Sequence, residues 1–119
     1  MLVVTLAGRK LPLHTIIPGM MIKGRQRIAF GIMGGWNQAL AHAQFVSNIA
    51  DHGMTLQAAI EAPRFATYSF PSSSEPHAYH PARLNLENRI PKSTGDELAS
   101  LGHDVKWWPD LEWRAGAVC

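Results

Sequence analysis

The stretch AFGIMGGWNQALAHAQF, residues 29–45, decides how this chain is interpreted. It begins as an apolar run typical of a β-strand, breaks at Gly34 and Gly35, and continues with apolar residues at helical spacing. Glycines at a strand-to-helix junction let a ligand approach the backbone N–H groups, and the following helix adds a partial positive charge. The junction therefore suits a carboxylate or a developing oxyanion. The local pattern alone favours a tight turn with a packing role.

The second half of this stretch predicts an amphipathic helix of about four to five turns. The apolar stripe consists of Trp36, Leu40, Ala43, Val46 and Ala50, and the opposite, mostly polar stripe consists of Asn37, Ala41, Gln44, Asn48 and Asp51. We therefore expect the first stripe to face the core. Gly53 suits the left-handed conformation that closes such a helix.

Upstream of the glycines, TIIPGMMIK (15–23) and RIAFGIMG (27–34) predict an antiparallel hairpin. Pro18 has no N–H to donate, so it belongs at a bulge, a strand start or a sheet edge, and Gly19 beside it favours the bulge. His14 and Thr15 come just before the first strand, so the hairpin can bring them to the end of the sheet that holds the glycines. Both side chains can donate hydrogen bonds to a carboxylate.

Downstream, Thr55 is predicted to cap a short helix that the Ala62–Pro63 step ends. RFATYSF (64–70) predicts a strand, PSSSEPHAYHPA (71–82) an exposed loop, RLNLEN (83–88) a half-buried strand, residues 91–101 a third helix and HDVKWWP (103–109) a last strand. The order strand, strand, helix, helix, strand, strand, helix, strand predicts an α/β fold in a single domain, residues 1–119. Trp107, Trp108 and Trp113 offer apolar area for a core or an interface.

Composition excludes several classes of protein. The 119 residues are 46% hydrophobic, which suits a small globular domain, and no apolar run reaches the roughly 18 residues of a membrane span. Eleven basic against nine acidic residues, without a basic block, give no sign of nucleic-acid binding. The single cysteine, Cys119, excludes an intrachain disulfide and a thiolate metal cluster, and His77 and His80 lack further ligands, so we predict neither metal nor cofactor. The compartment stays open.

The residues offer no convincing nucleophile. A catalytic hydroxyl needs a base and an orienting group within hydrogen-bond reach. Ser72, Ser73 and Ser74 lie in a loop without an elbow motif, and Cys119 is the last residue. The sequence thus combines an oxyanion-binding corner with no evident attacking group.

Several separated stretches then identify the chain as a member of a known family. KLPLHTIIPGMMIK, AFGIMGG, HGMTLQAAIEAPRF, LENRIP and LGHDV follow in the order seen in the small subunit of γ-glutamyltransferase-like proteins, which include glutathione hydrolases and acylases. The resemblance extends over residues 10–105. Separated motifs in the correct order are more specific than any one of them.

The resemblance implies the αββα fold of N-terminal-nucleophile hydrolases, of which this chain would form part: a mostly antiparallel sheet with helices on one face. Members cleave their own precursor to free a threonine that attacks γ-glutamyl amides. No residue of this chain matches that threonine, and Thr5 does not correspond to it. The family's oxyanion-hole glycines fall on Gly34 and Gly35, and the pair that helps hold the glutamyl α-carboxylate falls on His14 and Thr15.

Two functional hypotheses follow from different classes. In the first, the chain is a partial small subunit that lacks the nucleophile segment and the closing C-terminal strands, is inactive alone, and acts on a glutathione-like γ-glutamyl substrate together with the large-subunit segment of the same precursor. In the second, it is a non-catalytic binding or assembly module derived from that family. A phosphate or nucleotide site at the glycines is a weaker third reading, because no P-loop or dinucleotide pattern surrounds them.

Overall fold

The structure, a computed structural model, describes residue 8, residues 15–72 and residues 76–118. Its elements are, in chain order, β1 (Gly19–Lys23), β2 (Gln26–Phe30), α1 (Asn37–Ala50), α2 (Leu56–Glu61), β3 (Phe65–Thr67), β4 (Arg83–Glu87), α3 (Lys92–Ser100), β5 (Asp104–Trp108) and a short 3-10 helix (Trp113–Ala115). The mixed α/β class and the predicted order of strands and helices are confirmed.

Strands β1 and β2 form the predicted antiparallel hairpin. Gly19 pairs with Phe30 at the open end, and Lys23 pairs with Gln26 at the turn. Gly24 has a φ of +57° at the first of the two turn positions, which favours glycine there. A side chain at position 19 would overlap the Phe30 ring, so this glycine allows the ring to cover the strand. Pro18 directly precedes the first residue of β1, and the one-to-one register of the hairpin has no bulge there, so the favoured bulge position is wrong and Pro18 lies at the strand start.

The second sheet has the strand order β3-β4-β5. β3 and β4 are antiparallel, whereas β4 and β5 are parallel and are joined through α3. The prediction of a half-buried β4 is wrong, because residues 84–87 are all buried. β4 is the central strand of this sheet and both of its faces are covered. Of the three tryptophans near the end of the chain, Trp108 is buried, whereas Trp107 and Trp113 are exposed.

The predicted inner face of α1 is also wrong. The buried residues of this helix are Asn37, Gln38, Ala41 and Phe45, whereas Ala43 and Ala50 of the predicted apolar stripe are exposed. The large Phe45 ring sets the buried face and packs in a core cluster with Ile32, Ala41 and Ala59. Alanines carry too little apolar area to decide the orientation of a helix against that of a phenylalanine.

Both ends of α2 and the end of α1 agree with their sequence signals. Thr55 Oγ1 accepts the Ala58 N–H at 3.2 Å, and α2 ends before the Ala62–Pro63 step. Gly53 follows α1 with a φ of +65°. Across residues 15–72 and 76–118, no helix has the length and apolar character needed to cross a membrane.

A buried carboxylate connects the second sheet to the segment that follows it. Glu87 is 1% exposed. Its Oε2 accepts the backbone N–H of Arg64 at 2.9 Å, and its Oε1 accepts Arg89 Nη2 at 2.6 Å and the backbone N–H of Leu111. One side chain thereby fixes the start of β3, the end of β4 and the loop after β5 relative to one another.

Candidate functional site

The glycine pair forms a corner between the first hairpin and α1. After β2, Ile32 makes an isolated antiparallel bridge with Val118, and the chain then turns at Gly34 and Gly35. Their φ angles are +139° and +58°, in the region that residues with side chains rarely adopt. The conformation of the corner therefore requires glycine at both positions.

The carbonyl and amide groups of the corner are used differently. Gly34 O accepts the Asn37 N–H and Gly35 O accepts the Gln38 N–H, each at 3.1 Å, which starts the helix. Within residues 15–72 and 76–118, neither glycine N–H donates to a protein acceptor. The 14 residues of α1 add their partial positive charge at this end. Donors without partners at a helix N-terminus favour the binding of an anion.

A cavity of about 330 Å³ adjoins the corner. It is lined by Thr15, Ile16, Ile17, Gly31, Ile32, Met33, Gly34 and Gln38. The structure therefore brings Thr15 and Gly34 to one cavity. None of the lining residues is ionisable, so the backbone amides and the helix supply the local positive potential. His14, Thr5, Ser73, Ser74 and Cys119 lie outside the described residues, and the assigned roles of His14, Thr15, Gly34 and Gly35 stay predictions.

The helical pattern in the sequence did not single out Gln38, which belongs to neither of the two predicted stripes of α1. Gln38 is 8% exposed. Its Nε2 donates to the Thr15 carbonyl at 2.8 Å, and its Oε1 accepts the Ile17 N–H at 3.3 Å. The one signal in the sequence is a glutamine in the first turn of a helix, directly after the glycine corner. Its partners lie more than twenty residues upstream, so spacing alone does not reveal them.

The corner is supported from behind by the segment after the 3-10 helix. Met33 N–H donates to the Ala117 carbonyl at 3.2 Å. A Cβ at Gly116 would lie 2.7 Å from Ile32 Cγ2, so the two backbones pack as closely as glycine permits. Arg64 Nη2 donates to the Gly116 carbonyl at 2.6 Å. The backbone around Ile32 and Met33 is thus held by residues that follow it by more than eighty positions.

Arg64 is the ionisable side chain of this support, and none of the described residues that line the cavity is ionisable. Burial lowers the pKa of the Arg64 guanidinium, and the charge of Glu87 opposes that effect. A hydrogen bond from Arg114 lowers the pKa of the Glu112 carboxyl. His77 Nδ1 lies 2.8 Å from the Ser72 carbonyl oxygen. The described part of the chain holds no group of three or more His, Cys, Asp or Glu residues that could bind a metal ion.

Comparison with known proteins agrees with the resemblance found in the motifs. The Bacillus subtilis (strain 168) protein named glutathione hydrolase-like YwrD proenzyme is 31% identical over 103 residues, which are 86% of this chain and 18% of the relative. The solved cephalosporin acylase from Bacillus halodurans is 32% identical with a TM-score of 0.70, over 88% of this chain and 18% of that one. This chain therefore spans about a fifth of the length of these two relatives.

A more distant structure supports the fold alone. The Helicobacter pylori gamma-glutamyltranspeptidase T380A mutant is 24% identical with a TM-score of 0.70, over 95% of this chain and 54% of that one. The sequence profile of the family described as gamma-glutamyltranspeptidase matches residues 3–119. Motifs, fold and profile agree, and the chain belongs to the gamma-glutamyltranspeptidase family.

Proposed function

We propose that this chain forms the oxyanion-binding and carboxylate-binding part of an amidohydrolase that cleaves γ-glutamyl amides. The observation that carries the proposal is the pair of amides at Gly34 and Gly35, which have no acceptor in the described residues and lie at the N-terminus of α1. The cavity beside them also contains Thr15, to which the family's α-carboxylate site corresponds. The membership of the family supports the reaction type.

In this mechanism the attacking threonine hydroxyl comes from outside these residues. It adds to the γ-carbonyl carbon of the substrate, and the carbonyl oxygen takes the negative charge of the tetrahedral intermediate. The N–H groups of Gly34 and Gly35 donate to that oxygen. The α-amino group of that threonine takes the hydroxyl proton and passes it to the leaving amine as the C–N bond breaks. Water or an acceptor amine then adds to the acyl-enzyme carbonyl, loses a proton to the same amino group, and releases the γ-glutamyl group and the free threonine hydroxyl. His14 and Thr15 help hold the α-carboxylate of the substrate.

We further propose that the remaining groups come from the same precursor. The name of the Bacillus subtilis relative includes the word proenzyme, and this chain spans only 18% of that protein. The large-subunit segment would supply positive charge for the substrate carboxylate, because the residues that line the cavity supply none. The isolated chain is then expected to hydrolyse no γ-glutamyl amide.

Two glycine variants of the complete polypeptide test the role of the corner. Gly35 and Gly53 have φ angles of +58° and +65°, and an added Cβ meets no atom within 4 Å at either position. Alanine should therefore cost each site a similar strain of about 1–2 kcal/mol. The assay is hydrolysis of γ-glutamyl-p-nitroanilide, followed by release of nitroaniline.

We expect Gly35→Ala to lower kcat by about 100-fold, because relief of the strain rotates an oxyanion donor away. Gly53→Ala, at the far end of α1, should retain the wild-type kcat within about threefold. Equal losses of kcat in Gly35→Ala and Gly53→Ala would refute the proposed oxyanion-binding role of the Gly35 N–H. A wild-type polypeptide that hydrolyses no γ-glutamyl amide would refute the proposed function as a whole.

The second hypothesis, a non-catalytic assembly module, is favoured by the apolar surface of the hairpin. Ile16, Met20 and Ile22 are each more than 60% exposed. Such a surface marks an interaction site. An inactive complete polypeptide that forms a defined, monodisperse complex would support this function over catalysis.

A further inference from the structure

Gln38 makes an unusual pair of bonds with the backbone before β1. Its carboxamide donates to the Thr15 carbonyl and accepts the Ile17 N–H, at 2.8 and 3.3 Å. Residues 15–18 precede the hairpin ladder, which starts at Gly19. Among the described residues, Thr15 O and Ile17 N find no other hydrogen-bond partner.

The geometry explains why a glutamine does this well. In an extended chain, the C=O of one residue and the N–H two residues later point to the same edge. A carboxamide carries one acceptor and a donor group side by side, so it pairs with both, as a neighbouring strand would. Because Gln38 is 8% exposed, water competes little for these bonds.

The same residue is also bonded to the glycine corner. The backbone N–H of Gln38 donates to the Gly35 carbonyl at 3.1 Å, while its side chain holds Thr15. The cavity of about 330 Å³ beside the glycine corner is lined by Gln38, Thr15 and Gly34 together. A single buried residue thus connects the proposed oxyanion donors with the segment proposed to bind the substrate carboxylate.

We propose that Gln38 is a positioning residue that sets the distance between Thr15 and the Gly34–Gly35 amides, and thereby selects acyl groups that carry an α-carboxylate. This inference rests on the proposed function. Gln38 acts through the backbone of residues 15–17 and needs no contact with the reacting carbonyl. Its loss should weaken recognition of the glutamyl group more than the chemical step.

Gln44 provides a matched control on the same helix. Its carboxamide likewise bonds a backbone donor and acceptor, the N–H and C=O of Phe65, each at 3.0 Å. Gln38→Met and Gln44→Met therefore remove the same kind of interaction in the first turn and in the middle of α1. The measured quantities, in the complete polypeptide, are KM and kcat for γ-glutamyl-p-nitroanilide and the inhibition constant of L-glutamate.

For Gln38→Met we expect the inhibition constant and KM to rise about tenfold, the effect of losing buried hydrogen bonds, with kcat changed by less than about threefold. Gln44→Met should change the inhibition constant by less than about twofold. In a Thr15→Ala background the effect of Gln38→Met should shrink, because the two residues act as one unit. Equal inhibition constants for the two methionine variants, or strictly additive effects with Thr15→Ala, would overturn the proposal.

A second variant keeps the test decisive if Gln38→Met does not fold. Gln38→Glu has the same shape and still accepts the Ile17 N–H, but the ionised carboxylate cannot donate to the Thr15 carbonyl. Its inhibition constant should exceed that of the wild type at neutral pH and approach it as the carboxyl group is protonated. A pH profile parallel to that of the wild type would contradict the role of Gln38. The activity of the wild type is measured first. If the wild type is inactive, the proposed function is refuted, whereas an active wild type allows the positioning role of Gln38 to be tested separately.

Discussion

Replacing Glu87 with glutamine should lower the free energy of unfolding by about 3 kcal/mol, because it disrupts a buried carboxylate with several hydrogen-bond partners. The Glu87 carboxylate is 1% exposed and accepts hydrogen bonds at both oxygens. Oε1 faces Arg89 and the Leu111 N–H, and Oε2 faces the Arg64 N–H. Glutamine keeps one oxygen only, so its NH₂ group must face a donor on one side.

The contacts of the Glu87 carboxylate determine how much stability the substitution should cost. If the amide oxygen faces Arg89, the partly buried Arg64 N–H loses its acceptor, which costs about 1–3 kcal/mol. The bonds from Arg89 lose their charge assistance, and since that side chain is 31% exposed, solvent offsets part of this loss. The sum is about 3 kcal/mol, the low end for breaking a buried ion pair. For a domain of this size it corresponds to a fall in Tm of about 10 °C.

Thermal unfolding followed by circular dichroism measures this effect on the purified protein. Glu97→Gln is the matched control, since Glu97 is exposed on α3 and its removal should change stability by less than about 0.5 kcal/mol. If Glu87→Gln melts within two degrees or so of Glu97→Gln, the carboxylate network does not hold the sheet and its connecting segments together.

Two further predictions concern the second sheet and the 3-10 helix. Alanine normally stabilises a helix by about 1 kcal/mol over glycine. In α3, however, a Cβ at Gly95 would overlap the Trp107 ring. Denaturant unfolding should therefore show that Gly95→Ala destabilises the wild-type protein but stabilises the Trp107→Ala variant. The hydrogen bond from Arg114 holds the pKa of Glu112 below its ordinary 4.5, so this stabilisation is present above that pH and is lost as pH falls through the folded pKa. The stability advantage of the wild type over Glu112→Gln should therefore shrink between about pH 6 and pH 3, and a constant difference would contradict it.

The order of elements was predictable because its signals are local. Gly53, Thr55 and Pro63 act on their own neighbours, through a left-handed φ, a side-chain cap and a missing N–H. Each of these local effects operates regardless of how the rest of the chain folds. The glycine corner was predictable for the same reason, since Gly34 and Gly35 lie between a strand and a helix that their own residues specify.

The buried face of α1 was not predictable from periodicity, because its partners are remote in sequence. Asn37 Nδ2 donates to the Arg114 carbonyl at 3.4 Å, and Gln38 bonds to residues 15 and 17. A polar side chain can be buried once it has such a partner, and hydropathy takes no account of that. The burial of β4 was not predictable for the same reason. β4 is the central strand because β3 and β5 pair with it on either side, and those pairings join segments that are separate in the sequence.

These remote contacts bear directly on the proposed chemistry. An oxyanion donor acts only if its N–H is fixed before charge develops, and two positive-φ glycines give the backbone little rigidity of their own. The rigidity must come from neighbours, and the Gly116 segment packed behind Ile32 provides it. This support depends on Arg64, which bonds the Gly116 carbonyl and whose backbone N–H is held by Glu87. Destabilising the Glu87 network should therefore loosen the corner as well as the sheet, so that in the complete polypeptide Glu87→Gln should lose kcat at temperatures below its own unfolding transition.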